Sequence, residues 1–234
     1  MALSPAQRHN QKIALQKQLA NRQTVESLDS LHIQIQALNQ DVAYLKALPM
    51  RSDRIAHKRD VLLPKWMPTV EAYLESGSVF VHPVFAWCVV WLFDVGDLDK
   101  GLALADIAIA QHQPTPDSFR STFPAFVADT VMAWADSTTA AGESIEPYFS
   151  RTFENVTTRW RLHEEITAKW YKFAGLQLLR DDNGQPRATA VEDAETLEKA
   201  AVLLATAEKL YKKVGVGTMR NQIAARLRNL AKGQ

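Results

Sequence analysis

One cysteine, Cys88, in a chain of 234 residues excludes a disulfide framework. Its place inside an apolar run makes it a buried thiol of a reducing compartment, which points to the cytoplasm. No apolar run reaches the roughly 18–20 residues that span a bilayer. The most apolar window, "VFVHPVFAWCVVWLF" from Val79 to Phe93, is interrupted by His82 and Pro83, so it reads as a buried core helix and no membrane association is expected. The opening "MALSPAQRHNQK" is polar and basic without the apolar centre of an export signal.

The standard catalytic templates are missing too. G-x-x-x-x-G-K-[ST] does not occur, which excludes a P-loop ATPase, and the glycines of "KKVGVGT" at 212–218 follow a helix that they cap. H-E-x-x-H, paired C-x-x-C and G-x-S-x-G are absent as well. The six histidines, His9, His32, His57, His82, His112 and His163, lack metal-ligand spacing, so no metal site is expected. Three carboxylate clusters remain: Asp94, Asp97 and Asp99; Glu164 and Glu165; Asp181 and Asp182. A nuclease needs two or three acids converging on a divalent cation. Helix capping by Asp97 or Asp99 and ordinary solvation account for these clusters better.

Alternating strand patterns are nearly absent, and helical periodicity fills the chain. The fold class is all-α. From Leu28 the apolar residues Leu28, Leu31, Ile35, Leu38, Val42 and Leu45 recur at spacings of three and four, a heptad seam suited to oligomerisation or to packing within one chain. Pro49 ends that helix. A second pattern from Ser52, with Ile55 and Leu62, makes either a helical hairpin or a kinked rod. Pro64 and Pro68 bracket Trp66 and mark a bend, with a new helix beginning near Pro68 and closing at Gly77. Helices follow from Pro83 to Phe93 and from about Leu102, where Gly101, Ala105 and Ala108 resemble a tetratricopeptide-type helical pair. Further helices fall at about 125–137, from about Ile145 or Phe149 to Leu179 with Trp160, Ile166, Trp170 and Phe173 as core, then after the exposed loop 180–190, and finally from Thr218. Three regions result: a basic arm at 1–63, an acidic core at 64–137 and a C-terminal helical pair region at 138–234.

Charge is segregated along the chain. Residues 1–65 hold ten Lys and Arg against five Asp and Glu, residues 66–150 two against eleven, and residues 151–234 fifteen against ten. Basic ends around an acidic middle fit either polyanion binding or a solvated surface. Arg51, Arg54 and Lys58 fall on one helical stripe with Arg59 beside it, and Arg8, Lys12 and Lys17 form a looser set. Such stripes meet phosphates through charge and counterion release. Arg220, Arg226, Arg228 and Lys232 compete for the same role.

Three strings, "SPAQRH" at 4–9, "KRDVLLPKWMPTVEAYLESG" at 58–77 and "VVWLFDVGDLDKGLALADIAI" at 89–109, resemble segments of the small terminase subunit of temperate contractile-tailed phages, a family also named terminase endonuclease subunit. The resemblance implies a homo-oligomeric ring in the host cytoplasm. That ring binds double-stranded viral DNA at its packaging site and presents it to a large terminase subunit, which owns the ATPase and takes part in the cutting. It implies no cofactor and carries over no catalytic residue. Arg8, His9, Lys58 and Arg59 lie in the matched strings and, with Lys12, Arg51 and Arg54, are the DNA-binding candidates. Two other readings stay open: a terminase endonuclease that cuts DNA itself with Mg²⁺, and a helical-repeat scaffold that binds only protein.

Overall fold

The structure, a computed structural model, describes residues 31–181 and 184–232. Among these the architecture is all-α, with a lone antiparallel bridge between Arg180 and Pro186. The chain divides into two compact units, one ending at Asp97 and one beginning at Leu98.

The first unit opens with helix α1, residues 31–47, followed after Pro49 by α2 (Arg51–His57), a π-helical turn (Lys58–Leu62) and α3 (Leu63–Glu75) without interruption. Of the two geometries open to the sequence, the hairpin is the one adopted. Asp41 of α1 accepts from both Lys65 Nζ and Trp66 Nε1 at 2.7 Å, and the Tyr44 ring lies 4.9 Å from that of His57. Leu38 and Leu45, seven residues apart on α1, are buried within the chain, whereas Leu31, Ile35 and Val42 are half-buried. Leu28 lies outside the described residues.

The expected new helix at Pro68 is corrected: Pro68 lies inside α3, and the helix runs on from Arg51. A proline deprives the carbonyl four residues earlier of its partner and crowds it. Just before Pro64 the chain widens to π geometry, with the Leu63 N–H reaching Lys58 O, five residues back. Both prolines are exposed, so the freed carbonyls can turn to water.

Of the window 79–93 expected as a buried core helix, Pro83–Phe93 lies in α4 (Pro83–Asp94), which buries nine of its twelve residues, whereas Val79, Phe80 and Val81 precede the helix and are exposed. Pro83 occupies N1, and His82, 3% exposed, caps the helix by accepting from Phe85 N–H at Nδ1, 3.2 Å away. Burial pushes the His82 pKa below its ordinary value of 6.5, because a charged imidazole would lose its hydration there. Burial likewise pushes the Cys88 thiol up to about 12. Among the described residues, no helix is long and apolar enough to cross a membrane.

The second unit contains α5 (Leu98–Ala110), α6 (Phe123–Ala140), α7 (Tyr148–Glu154), a second π turn (Asn155–Arg159), α8 (Glu164–Gln177), α9 (Ala194–Leu210) and α10 (Gly217–Lys232). Gly101, Ala105 and Ala108 are buried, as close helix approach requires, but a tetratricopeptide-type repeat is not confirmed. The single long helix expected up to Leu179 is broken. Thr157 and Thr158 return their hydroxyls to the carbonyls of Phe153 and Glu154, and Trp160 leaves the π turn extended at φ −91°, ψ 138°. Of the expected core residues, Trp170 is buried and Ile166 and Phe173 are half-buried; Phe149, expected only as a helix start, joins them, its ring stacked 5.2 Å from that of Trp170 and tilted 5.1 Å from that of Phe173. Trp160, expected with them, is half-buried and faces a cleft.

Helices α8 and α9 approach closely at Gly175, where an added Cβ would lie 2.9 Å from Leu204 Cγ and Cδ2. The α9 start is capped by Asp193, which accepts from the Thr196 backbone and hydroxyl. Those bonds hold its carboxyl below the usual range. Of the glycines of "KKVGVGT" expected to cap the preceding helix, Gly215, at φ 74°, ends the short 3-10 turn 212–214 that follows α9, whereas Gly217 opens α10.

Candidate nucleic-acid interface

The basic stripe of the hairpin is divided by its surroundings. Arg54 turns its guanidinium back to the carbonyls of Leu48 and Pro49, at 2.7 and 3.1 Å, and so satisfies the end of α1 and the loop after it. Lys58 extends to Asp94 Oδ2, 2.7 Å away, with its side chain 16% exposed. A carboxylate in the last turn of a helix opposes the macrodipole, and Lys58 offsets it. Arg51 and Arg59 are exposed and form no ion pair among the described residues. Arg8, His9 and Lys12 lie outside the described residues.

Beside the stripe is a cleft of about 340 Å³ bordered by Lys46, Arg54, Lys58, Trp87 and Trp91. Trp91 is fully buried, and its Nε1 has no hydrogen-bond partner among the described residues.

The competing C-terminal set is largely engaged as well. Arg220 pairs with Glu208, Arg226 Nε donates to Val191 O at 3.0 Å, and Arg228 Nε donates to Ala224 O within its own helix at 3.3 Å.

The carboxylate clusters also serve the fold. Asp94 holds Lys58, Asp99 accepts from Tyr148 Oη at 2.9 Å, and Glu165 pairs with Lys169 one turn on. Asp181 accepts from Gln185 N–H and pairs with Arg187. Among the described residues, no group of three or more His, Cys, Asp and Glu side chains is placed to hold a metal ion.

Sequence reasoning missed a group of basic residues in the second unit. Arg120, one of only two basic residues between 66 and 150, borders the same cleft as Arg159 and Arg161, with Trp160 between the last two. About forty residues separate the two contributing segments, so no local spacing reveals the group. An arginine isolated in an acidic stretch was the one available signal.

These features define an all-α protein whose cationic side chains are shared between structural duties and exposed positions. The chain belongs to the phage small terminase subunit family, whose model matches residues 35–165. It is 41% identical over 238 residues to a probable terminase endonuclease subunit of Haemophilus phage HP1 (strain HP1c1), covering 99% of this chain and 84% of that relative. It is 29% identical over 191 residues to the terminase endonuclease subunit of Escherichia phage P2, covering 80% and 75% of the two chains. No solved structure matches the chain.

Proposed function

We propose that this chain is the DNA-recognition subunit of a phage packaging machine. It binds double-stranded viral DNA at the packaging site as a homo-oligomeric ring and passes it to a large subunit that carries the ATPase. The observation that carries this reading is the family match, joined to a terminase relative aligned over nearly the whole chain. The exposed Arg51 and Arg59, with Arg8, His9 and Lys12, supply phosphate contacts, and the half-buried seam residues Leu31, Ile35 and Val42 are the part of α1 left for a neighbouring copy. The cell compartment is the host cytoplasm, where the DNA and the large subunit meet.

The test is duplex DNA affinity at fixed salt for Arg51→Glu/Arg59→Glu. The reading expects a loss of at least about tenfold and a weaker dependence on salt. Unchanged affinity would remove the hairpin from the contact face.

A second reading is favoured by the word "endonuclease" in both relatives' names. In it this chain itself cuts DNA with Mg²⁺. Incubating the purified chain with Mg²⁺ or Mn²⁺ and a plasmid carrying the packaging site separates the two: cleavage without the large subunit establishes the second, and intact plasmid supports the first.

A further inference from the structure

We infer that the arginine-lined cleft of the second unit is a DNA-backbone site, distinct from the basic hairpin. The inference rests on the DNA-recognition reading above and adds to it a place of contact.

The cleft measures about 680 Å³ and is bordered by His112, Arg120, Thr122, Arg159, Trp160 and Arg161, among others. Among the described residues, no carboxylate borders it. Of its three guanidinium groups, Arg120 comes from the stretch 66–150, where acids outnumber bases eleven to two, and Arg159 and Arg161 come from 151–234; with no acid on its wall, the cleft is a local concentration of positive charge. Guanidinium groups suit phosphate because their fork of donors matches its oxygens, and they hold their charge at any working pH.

The walls are held by the fold rather than by the arginines. On one side, the turn after α5 holds His112 at φ 54°, and two bonds close the helix end: His112 N–H to Ile109 O at 3.1 Å and Gln113 N–H to Ala108 O at 2.8 Å. The loop bearing Arg120 is pinned by the Thr115 hydroxyl on Ser121 O at 2.7 Å, and by Phe119 packed edge-on against Phe126 at 5.5 Å. On the other side, the π turn is tied to α5 through Asp106, which pairs with Arg151 at 2.6 Å and accepts from Asn155 Nδ2 at 3.5 Å. Its last bond, Trp160 N–H to Asn155 O at 2.8 Å, sets where Arg159 and Arg161 leave the turn.

The arginines themselves carry little structural duty. Arg120 and Arg161 are exposed and form no ion pair among the described residues. Arg159 pairs with Glu154 at 2.7 Å, but both side chains are at least 60% exposed, so water screens the pair and a phosphate can replace the carboxylate. Trp160, half-buried on the same wall, offers an apolar face against which a sugar or an unstacked base can rest.

The experiment measures binding of the full-length chain to a labelled duplex across a salt series, for the natural protein, Arg120→Gln/Arg159→Gln/Arg161→Gln, and the corresponding triple lysine variant. The glutamine variant should keep its melting temperature and lose at least about tenfold in affinity, with the slope of log K against log salt shallower by about 0.9 for each contact removed. The lysine variant should regain most of the slope, since it keeps the charge. Natural affinity and slope in the glutamine variant, alongside weakened Arg51→Glu/Arg59→Glu, would overturn the cleft and leave the DNA-recognition reading standing. A natural chain that retains no duplex at any salt would overturn both.

Discussion

Lys58 Nζ lies 2.7 Å from Asp94 Oδ2, joining the π turn of the hairpin to the C-terminal end of α4, 36 residues later. Substituting Lys58→Glu therefore sets two carboxylates together at a helix terminus that already disfavours one. Thermal melts of Lys58→Met, Asp94→Asn and the double variant should give a coupling of about 0.5–1 kcal/mol that shrinks as salt rises. Lys58→Glu should melt below Lys58→Met. A DNA-binding test that reverses this residue confounds unfolding with lost contact, and the same holds for Arg54, whose guanidinium serves the carbonyls of Leu48 and Pro49. Arg51 and Arg59 are the clean positions.

His82 gives stability a dependence on pH. Its folded pKa is below 6.5, so between the two values the unfolded chain holds a proton that the folded chain does not. Stability from this group is fully present above about pH 6.5 and falls as pH drops below it, by at most about 1.4 kcal/mol per pH unit. Denaturant titrations of His82→Asn, which keeps an acceptor at the cap but cannot titrate, should lose that part of the acid slope.

Cys88 should be inert in the native protein. With the thiol fully buried and its pKa pushed up to about 12, the thiolate needed for alkylation is neither formed nor accessible at pH 8. Labelling by iodoacetamide should follow unfolding, reaching one equivalent only in denaturant.

Gly175 is where α8 and α9 meet, and a methyl group there would press on Leu204 and come 3.3 Å from Ala200 O. Gly175→Ala gains helix propensity but overpacks a fully buried contact, and should lose about 1–3 kcal/mol in denaturant melts. Gly175→Ala combined with Leu204→Ala should lose less than the two single changes together, because the second removes what the first collides with.

The helices were legible because apolar residues repeat at three and four along nearly the whole chain, and the buried α4 because Pro83–Phe93 holds no acidic or basic residue before Asp94. The prolines misled. Pro64 and Pro68 look like a break, yet a π turn and two solvent-facing positions let the helix continue through them. The basic stripe was visible as spacing, but spacing says nothing of where a side chain finds its partner. Arg54 is held by carbonyls across a tight turn and Lys58 by an acid 36 residues away. For Arg120, Arg159 and Arg161 the obstacle was distance along the chain, since the loop between α5 and α6 and the end of the second π turn bring them to one cleft.

The most direct test of the account is the mass of the purified chain, by light scattering or native mass spectrometry, with and without duplex DNA carrying the packaging site. The account predicts a closed oligomer of many copies that gains the mass of the duplex and prefers it to an unrelated sequence at the same salt. A monomer whose mass is unchanged by either duplex would contradict it.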